Sequence, residues 1–203
     1  WKKEAQMSLK VTKQQTIGKD ISLTGVGLHT GMDVTLTLKP APVNHGFKFV
    51  RIDLADAPVV EADVNYVVNT QRGTNLDKEG IKIQTSEHVL AALVGMEVDN
   101  CILELNAPEP PIMDGSSKYF IEAIEAAGIV TQDEEREEFI VEEVISFIDP
   151  ETGSEITVIP AEEYQVTTMV DFGTKILGTQ NATLSTISDF KTEISNSRTF
   201  SFL

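Results

Sequence analysis

The sequence predicts an α+β fold. Segments of strand-like alternation or β-branched runs are spread along the chain. Two segments, near 86–95 and 116–128, switch to helical period. Strands and helices do not alternate as regular βαβ units, which disfavours a parallel α/β sheet.

The elements follow in order. Residues 33–38 (Asp-Val-Thr-Leu-Thr-Leu) alternate apolar and polar, as a half-buried strand does, and Pro40-Ala41-Pro42 ends the run. An Asn44-His45-Gly46 turn leads into a second strand over 47–52. Residues 59–71 read as irregular with short strands. Asn75 to Gly80 reads as a turn, and Lys82-Ile83-Gln84 as strand. Over 86–95, Val89, Leu90, Leu93 and Val94 share one helical face. Thr85 or Ser86 can cap its start, and Gly95 can end it. Residues 101–105 (Cys-Ile-Leu-Glu-Leu) form an apolar strand, after which Pro108, Pro110 and Pro111 forbid regular structure. Ser116 or Ser117 then caps a second helix that buries Phe120, Ile121, Ile124 and Ala127, with Gly128 at its C′ position. Residues 139–148, 154–159 and 164–172 read as strands, with a hairpin-like turn over 149–153.

This order predicts an N-terminal extension (1–11), a first α+β domain (12–131), an acidic linker (132–138) and the N-terminal part of a second α+β domain (139–203). Trp1 precedes Met7, the first candidate start, so residues 1–6 read as upstream sequence. The second domain has strands without helices to cover them, so apolar sheet surface is expected to be exposed there.

Composition narrows the class. The chain has 203 residues, 41% apolar and 24% charged, which is ordinary globular usage. A single cysteine, Cys101, rules out a disulfide scaffold. Its Ile-Leu-Glu-Leu context suits a buried, inert thiol better than a catalytic one. No apolar run approaches the ~18 residues of a membrane span, and no signal-peptide pattern opens the chain. An intracellular, reducing compartment fits. The net charge of −16 repels nucleic acid and anionic lipid surfaces. Residues 132–163 hold twelve acidic residues and one basic residue, Arg136, and so contribute −11 of that charge. A solvated surface explains this run more simply than an interaction tail.

Among motifs, Thr85-Ser86-Glu87-His88 puts a carboxylate beside an imidazole in a first helical turn. His88 can serve as a metal ligand and Glu87 as a base toward water. A glutamate there is also what the helix dipole favours, and a histidine there can be merely exposed. Gly25-Val26-Gly27-Leu28-His29-Thr30-Gly31 marks tight turns or close backbone approach, but it is not a dinucleotide fingerprint. His29 and Asp33 have metal spacing only on a helix, and this stretch reads as turn and strand. His45 reads as a surface turn residue. Three histidines and one cysteine supply no convincing zinc set. There is no GxSxG elbow for serine catalysis.

Several long motifs in order carry a resemblance. They are Ser22 to Gly31, Thr85 to Leu93, Asp99-Asn100, Asn106 to Glu109 with Pro111 to Ser116, and Ser197-Arg198-Thr199-Phe200. The chain resembles the UDP-3-O-acyl-N-acetylglucosamine deacetylases of lipid A biosynthesis over about residues 12–203. The resemblance implies a zinc (Zn2+) amidohydrolase of the cytoplasm. It implies two similar α+β domains, each a sheet with a helix pair, and a site between them. It implies His88 as first zinc ligand and Glu87 as general base. Thr199 resembles the hydroxyl at the substrate carbonyl, and Phe200 the aromatic beside the hexose and nucleotide. Asp171-Phe172 resembles the pair that holds uracil, and His29 lies in a motif lining the site. The family's further ligands, a later HxxxD pair, are absent up to Leu203. The chain therefore reads as an N-terminal portion, inactive alone. Some relatives carry a fused hydroxyacyl carrier-protein dehydratase, which this sequence neither supports nor excludes. The competing readings are a non-catalytic sugar-nucleotide-binding or interaction protein on the same fold, and a metal-free hydrolase using Glu87 and His88.

Overall fold

A computed structural model of the chain describes residues 12–198. It is an α+β protein of two compact units. One comprises residues up to Arg136 and from Phe190 onward, and the other Glu137–Asp189.

The first unit contains β1 (Lys13–Ile17), β2 (Ile21–Val26), β3 (Asp33–Pro40), β4 (Phe47–Arg51), β5 (Val59–Glu61), β6 (Val67–Asn69), β7 (Asn75–Lys78) and β8 (Ile81–Ile83). Then come α1 (Glu87–Gly95), β9 (Cys101–Leu105), α2 (Lys118–Ala127) and β10 (Ile129–Glu135). Its main sheet has the order β2-β3-β9-β4-β5. β4 and β9 run parallel, and the other neighbours are antiparallel. β3 shows why it is a strand: Val34, Leu36 and Leu38 point into the core while the residues between them stay more exposed. On β9, Leu105 and Leu103 pair with Leu36 and Leu38, Cys101 pairs with Pro40, and all three β9 residues are fully buried. α2 packs against β2 and α1, and buries Phe120, Ile121, Ala123, Ile124 and Ala127, a face that contains the four expected positions.

Five local readings are corrected. Asn75–Lys78 is strand, paired with β6 and β8, and only Glu79 and Gly80 make the turn. α1 buries Val89, Ala92 and Leu93, leaving Leu90 half-buried and Val94 exposed. The buried face is thus shifted toward the small residues, and Phe190 packs against the bare face of Gly95. Gly95 is therefore the last helical residue, kept for space rather than as a C′ turn. Ser86 and Ser117 stand at the two N-cap positions, but neither side chain caps; at α2 it is the other candidate, Ser116, whose Oγ accepts the Lys118 N–H at 3.3 Å. Ser86 donates to Thr74 O and Ser117 to His88 O, so both hydroxyls tie separate segments together. Finally, residues 132–135 are not linker but the end of β10, paired with β1. β10 is exposed along nearly its whole length, so it needs no apolar alternation, and its charged composition hid it. Lys13 meets Asp133 at 3.0 Å, and Arg136 pairs with Asp99 at 2.7 Å.

After the second unit the chain returns with one π-helical turn, Phe190–Ile194. Phe190 is buried, and Ser117 N–H donates to Ser195 O at 3.1 Å.

The second unit, taken by itself, is two antiparallel hairpins. β11 (Ile145–Ile148) pairs with β12 (Glu155–Val158), and β13 (Val166–Asp171) with β14 (Thr179–Leu184). The Asp149–Gly153 turn is held by the Asp149 carboxylate, which accepts from Glu151 N–H and Thr152 Oγ1. The first strand is shorter than the expected 139–148, and β14 carried no alternation strong enough to read. Every residue of these four strands except Leu184 is exposed, Phe147, Ile156 and Met169 among them. Among the described residues, no helix is long and apolar enough to cross a membrane.

Candidate functional site

The first turn of α1 sets Glu87 beside His88. Glu87 Oε2 accepts the Thr74 N–H at 2.8 Å, and its Oε1 lies 3.9 Å from His88 Nε2. One carboxylate oxygen is thus anchored and the other faces the imidazole. The His88 side chain is mostly covered and that of Glu87 about two-fifths exposed (15% and 39%). Gly73 leaves room here, since a Cβ would meet Thr85 Oγ1 at 3.3 Å and Glu87 Oε1 at 3.4 Å.

Thr85 enters the helix from a left-handed backbone conformation, φ +50°. That is costly for a β-branched residue and persists only where neighbours enforce it. The enforcing neighbour is Glu109, which is fully buried. Its Oε1 accepts from Thr85 Oγ1 at 2.7 Å. Its Oε2 accepts from His29 N–H at 3.0 Å, Thr30 N–H at 2.9 Å and Thr30 Oγ1 at 3.0 Å. Burial pushes the Glu109 carboxyl up. The Thr30 N–H, the Thr85 and Thr30 hydroxyls and the His29 N–H outweigh it and hold the group below its ordinary value. Gly27 is the close-approach glycine, because a Cβ would stand 2.6 Å from Glu109 Oε2.

His29 sits in the turn after β2, with its ring Nε2 3.0 Å from Arg72 O. His29 and Glu87 therefore both touch the 72–74 segment, one at Arg72 and the other at Thr74. Asp33 begins β3, so the His29–Asp33 spacing is indeed not helical. His45 is a turn residue with Nδ1 at Gly46 O.

Asp114 accepts from Ser116 Oγ at 2.6 Å and pairs with Arg198 at 3.2 Å. The Ser116 hydroxyl, then its N–H and the Arg198 charge, hold the Asp114 carboxyl low against a burial effect that raises it. This pair draws the chain end before Thr199 to the start of α2. Thr199 and Phe200 lie outside the described residues. Asp171 ends β13 in the second unit and Phe172 follows it: Asp171 Oδ1 accepts from Gly173 N–H at 2.9 Å and Phe172 N–H donates to Gly178 O at 3.0 Å.

Cys101 is buried, and that burial pushes its thiol up to about 12, which removes it as a nucleophile. Among the described residues, no three His, Cys, Asp or Glu side chains are grouped to hold a metal ion. A catalytic zinc takes three protein ligands and an open position. His88 offers one imidazole, so the described residues by themselves do not fit the ion.

Glu109 and the Asp114–Arg198 pair had no assigned role in the sequence. The available signal was an acid inside Ala107-Pro108-Glu109-Pro110-Pro111, an apolar run with no adjacent base to pair it.

Fold and site together define an α+β protein with a paired carboxylate–imidazole centre at a helix start. The chain belongs to the UDP-3-O-acyl N-acetylglycosamine deacetylase (LpxC) family, whose model matches residues 14–203. It is 46% identical over 191 residues to a bifunctional enzyme LpxC/FabZ of Chlorobaculum tepidum, covering 94% of this chain and 41% of that protein. It is 44% identical over 191 residues to the bifunctional LpxC/FabZ of Bacteroides thetaiotaomicron, with the same coverage of 94% and 41%. It is 42% identical over 191 residues to a UDP-3-O-acyl-N-acetylglucosamine deacetylase of Myxococcus xanthus, covering 94% and 60%. The chain thus spans about two-fifths of the length of the bifunctional relatives.

Proposed function

We propose that this chain is the portion of a UDP-3-O-acyl-N-acetylglucosamine deacetylase that carries the general base and one metal ligand. The reaction is hydrolysis of the N-acetyl group to a free amine and acetate in lipid A biosynthesis. The observation that supports it best is the Glu87–His88 pair at the start of α1 in a chain of this family. Amide hydrolysis needs a water deprotonated and a leaving amine protonated. Glu87 suits proton transfer because Thr74 N–H holds Oε2 in place and leaves Oε1 to take the proton. His88 is one ligand of Zn2+, whose other ligands come from outside the described residues.

His29 borders the substrate from the turn after β2. Thr199 holds the substrate carbonyl, Phe200 lines the hexose and nucleotide, and Asp171 with Phe172 holds the uracil. The bifunctional relatives support a reading in which a dehydratase is fused to the same polypeptide. On this reading the protein works in the cytoplasm, and the 203-residue chain alone does not turn over.

The test is acetate release from UDP-3-O-acyl-N-acetylglucosamine by the full-length zinc-loaded protein. Glu87→Gln should lower kcat by about 10²–10⁴-fold. His88→Ala should lower bound zinc. Tight UDP-sugar binding without any acetate release by the wild-type protein would transfer support to the non-catalytic reading.

A further inference from the structure

Two proposed site segments come from distant parts of the sequence. One is the His29 turn between β2 and β3, and the other is the start of α1 with Glu87 and His88. The loop after β9 lies against both. Pro108 O accepts from Gln84 N–H at 2.8 Å, just before α1. Ile112 N–H donates to Val26 O at 3.0 Å, at the end of β2. Between these two ties sits the Glu109 carboxylate, fully buried, with no cation among its partners within the described residues.

A buried carboxylate is expensive unless its lone pairs are filled. Here His29 N–H, Thr30 N–H, Thr30 Oγ1 and Thr85 Oγ1 fill them. Two come from the His29 backbone turn and its neighbour's amide, one from the same turn's hydroxyl, and one from the residue that enters α1 at positive φ. Such a network is more than an anchor for one loop. It fixes the distance between two elements, because a single rigid group accepts from both. The local residues agree with that use: Gly27 has no room for a Cβ beside Glu109 Oε2.

We propose that Glu109 is the positioning residue of this site: its carboxylate sets the spacing between the His29 turn and the Glu87–His88 helix start. It touches neither substrate nor metal, and it acts through Thr85 and the His29 backbone. The proposal rests on the deacetylase reading for its kinetic consequence, but not for its geometry.

The experiment has two arms. In the first, the amide protons of His29 and Thr30 are followed by NMR in this chain. Donation to a carboxylate moves them downfield, and Glu109→Leu, which is of similar size and has no acceptor, should remove that shift. In the second, kcat and KM are measured on the full-length enzyme. Glu109→Gln should lower kcat by about 100-fold with KM changed far less, the signature of a displaced catalytic pair. Thr85→Val should also lower kcat, and Thr85→Ser, which keeps the hydroxyl, should restore it to within a few-fold of wild type.

Wild-type kcat in folded Glu109→Gln and Thr85→Val would overturn the proposal. So would a loss of activity that only tracks the folded fraction. If Glu109→Gln does not fold, the Thr85 pair decides. If wild-type full-length enzyme releases no acetate, the deacetylase reading fails, and the two amide shifts alone decide whether Glu109 bridges the segments.

Discussion

Phe190 packs its ring against the bare Cα of Gly95, so that a side chain at 95 would overlap the ring. Gly95→Ala must push the aromatic out of its buried seat or move the end of α1. Overpacking of this kind costs about 1–3 kcal/mol. A fall in Tm is expected, and Phe190→Leu should recover part of it in the Gly95→Ala background. Additive effects of the two substitutions in a thermal-melt cycle would show that the contact does not couple them.

Arg51 is buried and forks onto Asp53, with Nε to Oδ1 at 2.8 Å and Nη2 to Oδ2 at 2.7 Å. Its Nη1 donates to Lys82 O, which joins β4 to β8. Asp53→Ala leaves the guanidinium with a backbone partner only. Hydrogen bonds to charged groups are worth about 1.5–3 kcal/mol, so urea unfolding should show a loss of that order. An unchanged midpoint would mean that water replaces the carboxylate at no cost.

Glu109, Asp53 and Asp114 all have carboxyls held below their ordinary values. For each, the folded protein binds its proton less readily than the unfolded chain. The stabilisation is therefore complete above the unfolded carboxylate pKa, about 4. It is lost as pH falls from there through the folded values. The urea midpoint should stay flat on this account from pH 7 to about 5 and decline below it. A midpoint that rises on acidification would contradict these assignments.

Cys101 should be silent toward thiol reagents in the native protein at pH 8. Both its burial and its raised pKa withhold the thiolate. In denaturant, one equivalent should react promptly, since the chain has one cysteine. Rapid labelling without denaturant would show that β9 opens.

The parts that could be read from sequence were those where burial imposes a period. β3 and β9 alternate or run apolar because the sheet hides them, and α2 shows its stripe because one face meets β2 and α1. Glu87 and His88 were legible because adjacency is a local property. The rest depended on partners far away in sequence. β10 is charged and exposed, and only its pairing with β1 makes it a strand. Gly95 of α1 meets Phe190, about a hundred positions downstream of the helix, a contact that no local period shows. Glu109 looked like an isolated acid among prolines, because all its donors lie in the His29 turn and at Thr85. Ser86 and Ser117 matched the capping pattern, yet their hydroxyls serve Thr74 and His88 instead.

The return of Phe190–Ile194 to the first unit has a consequence for synthesis on the ribosome. β1 must wait for β10, and the groove at Gly95 must then wait for Phe190, with the hairpins of residues 137–189 emerging in between. At roughly 5–20 residues per second, that second wait lasts about 3–10 s. During it, Gly95 at the end of α1 lacks the ring that packs on it in the folded protein. Phe190 is thus the residue whose arrival completes the packing at the end of α1, after the main sheet can already pair.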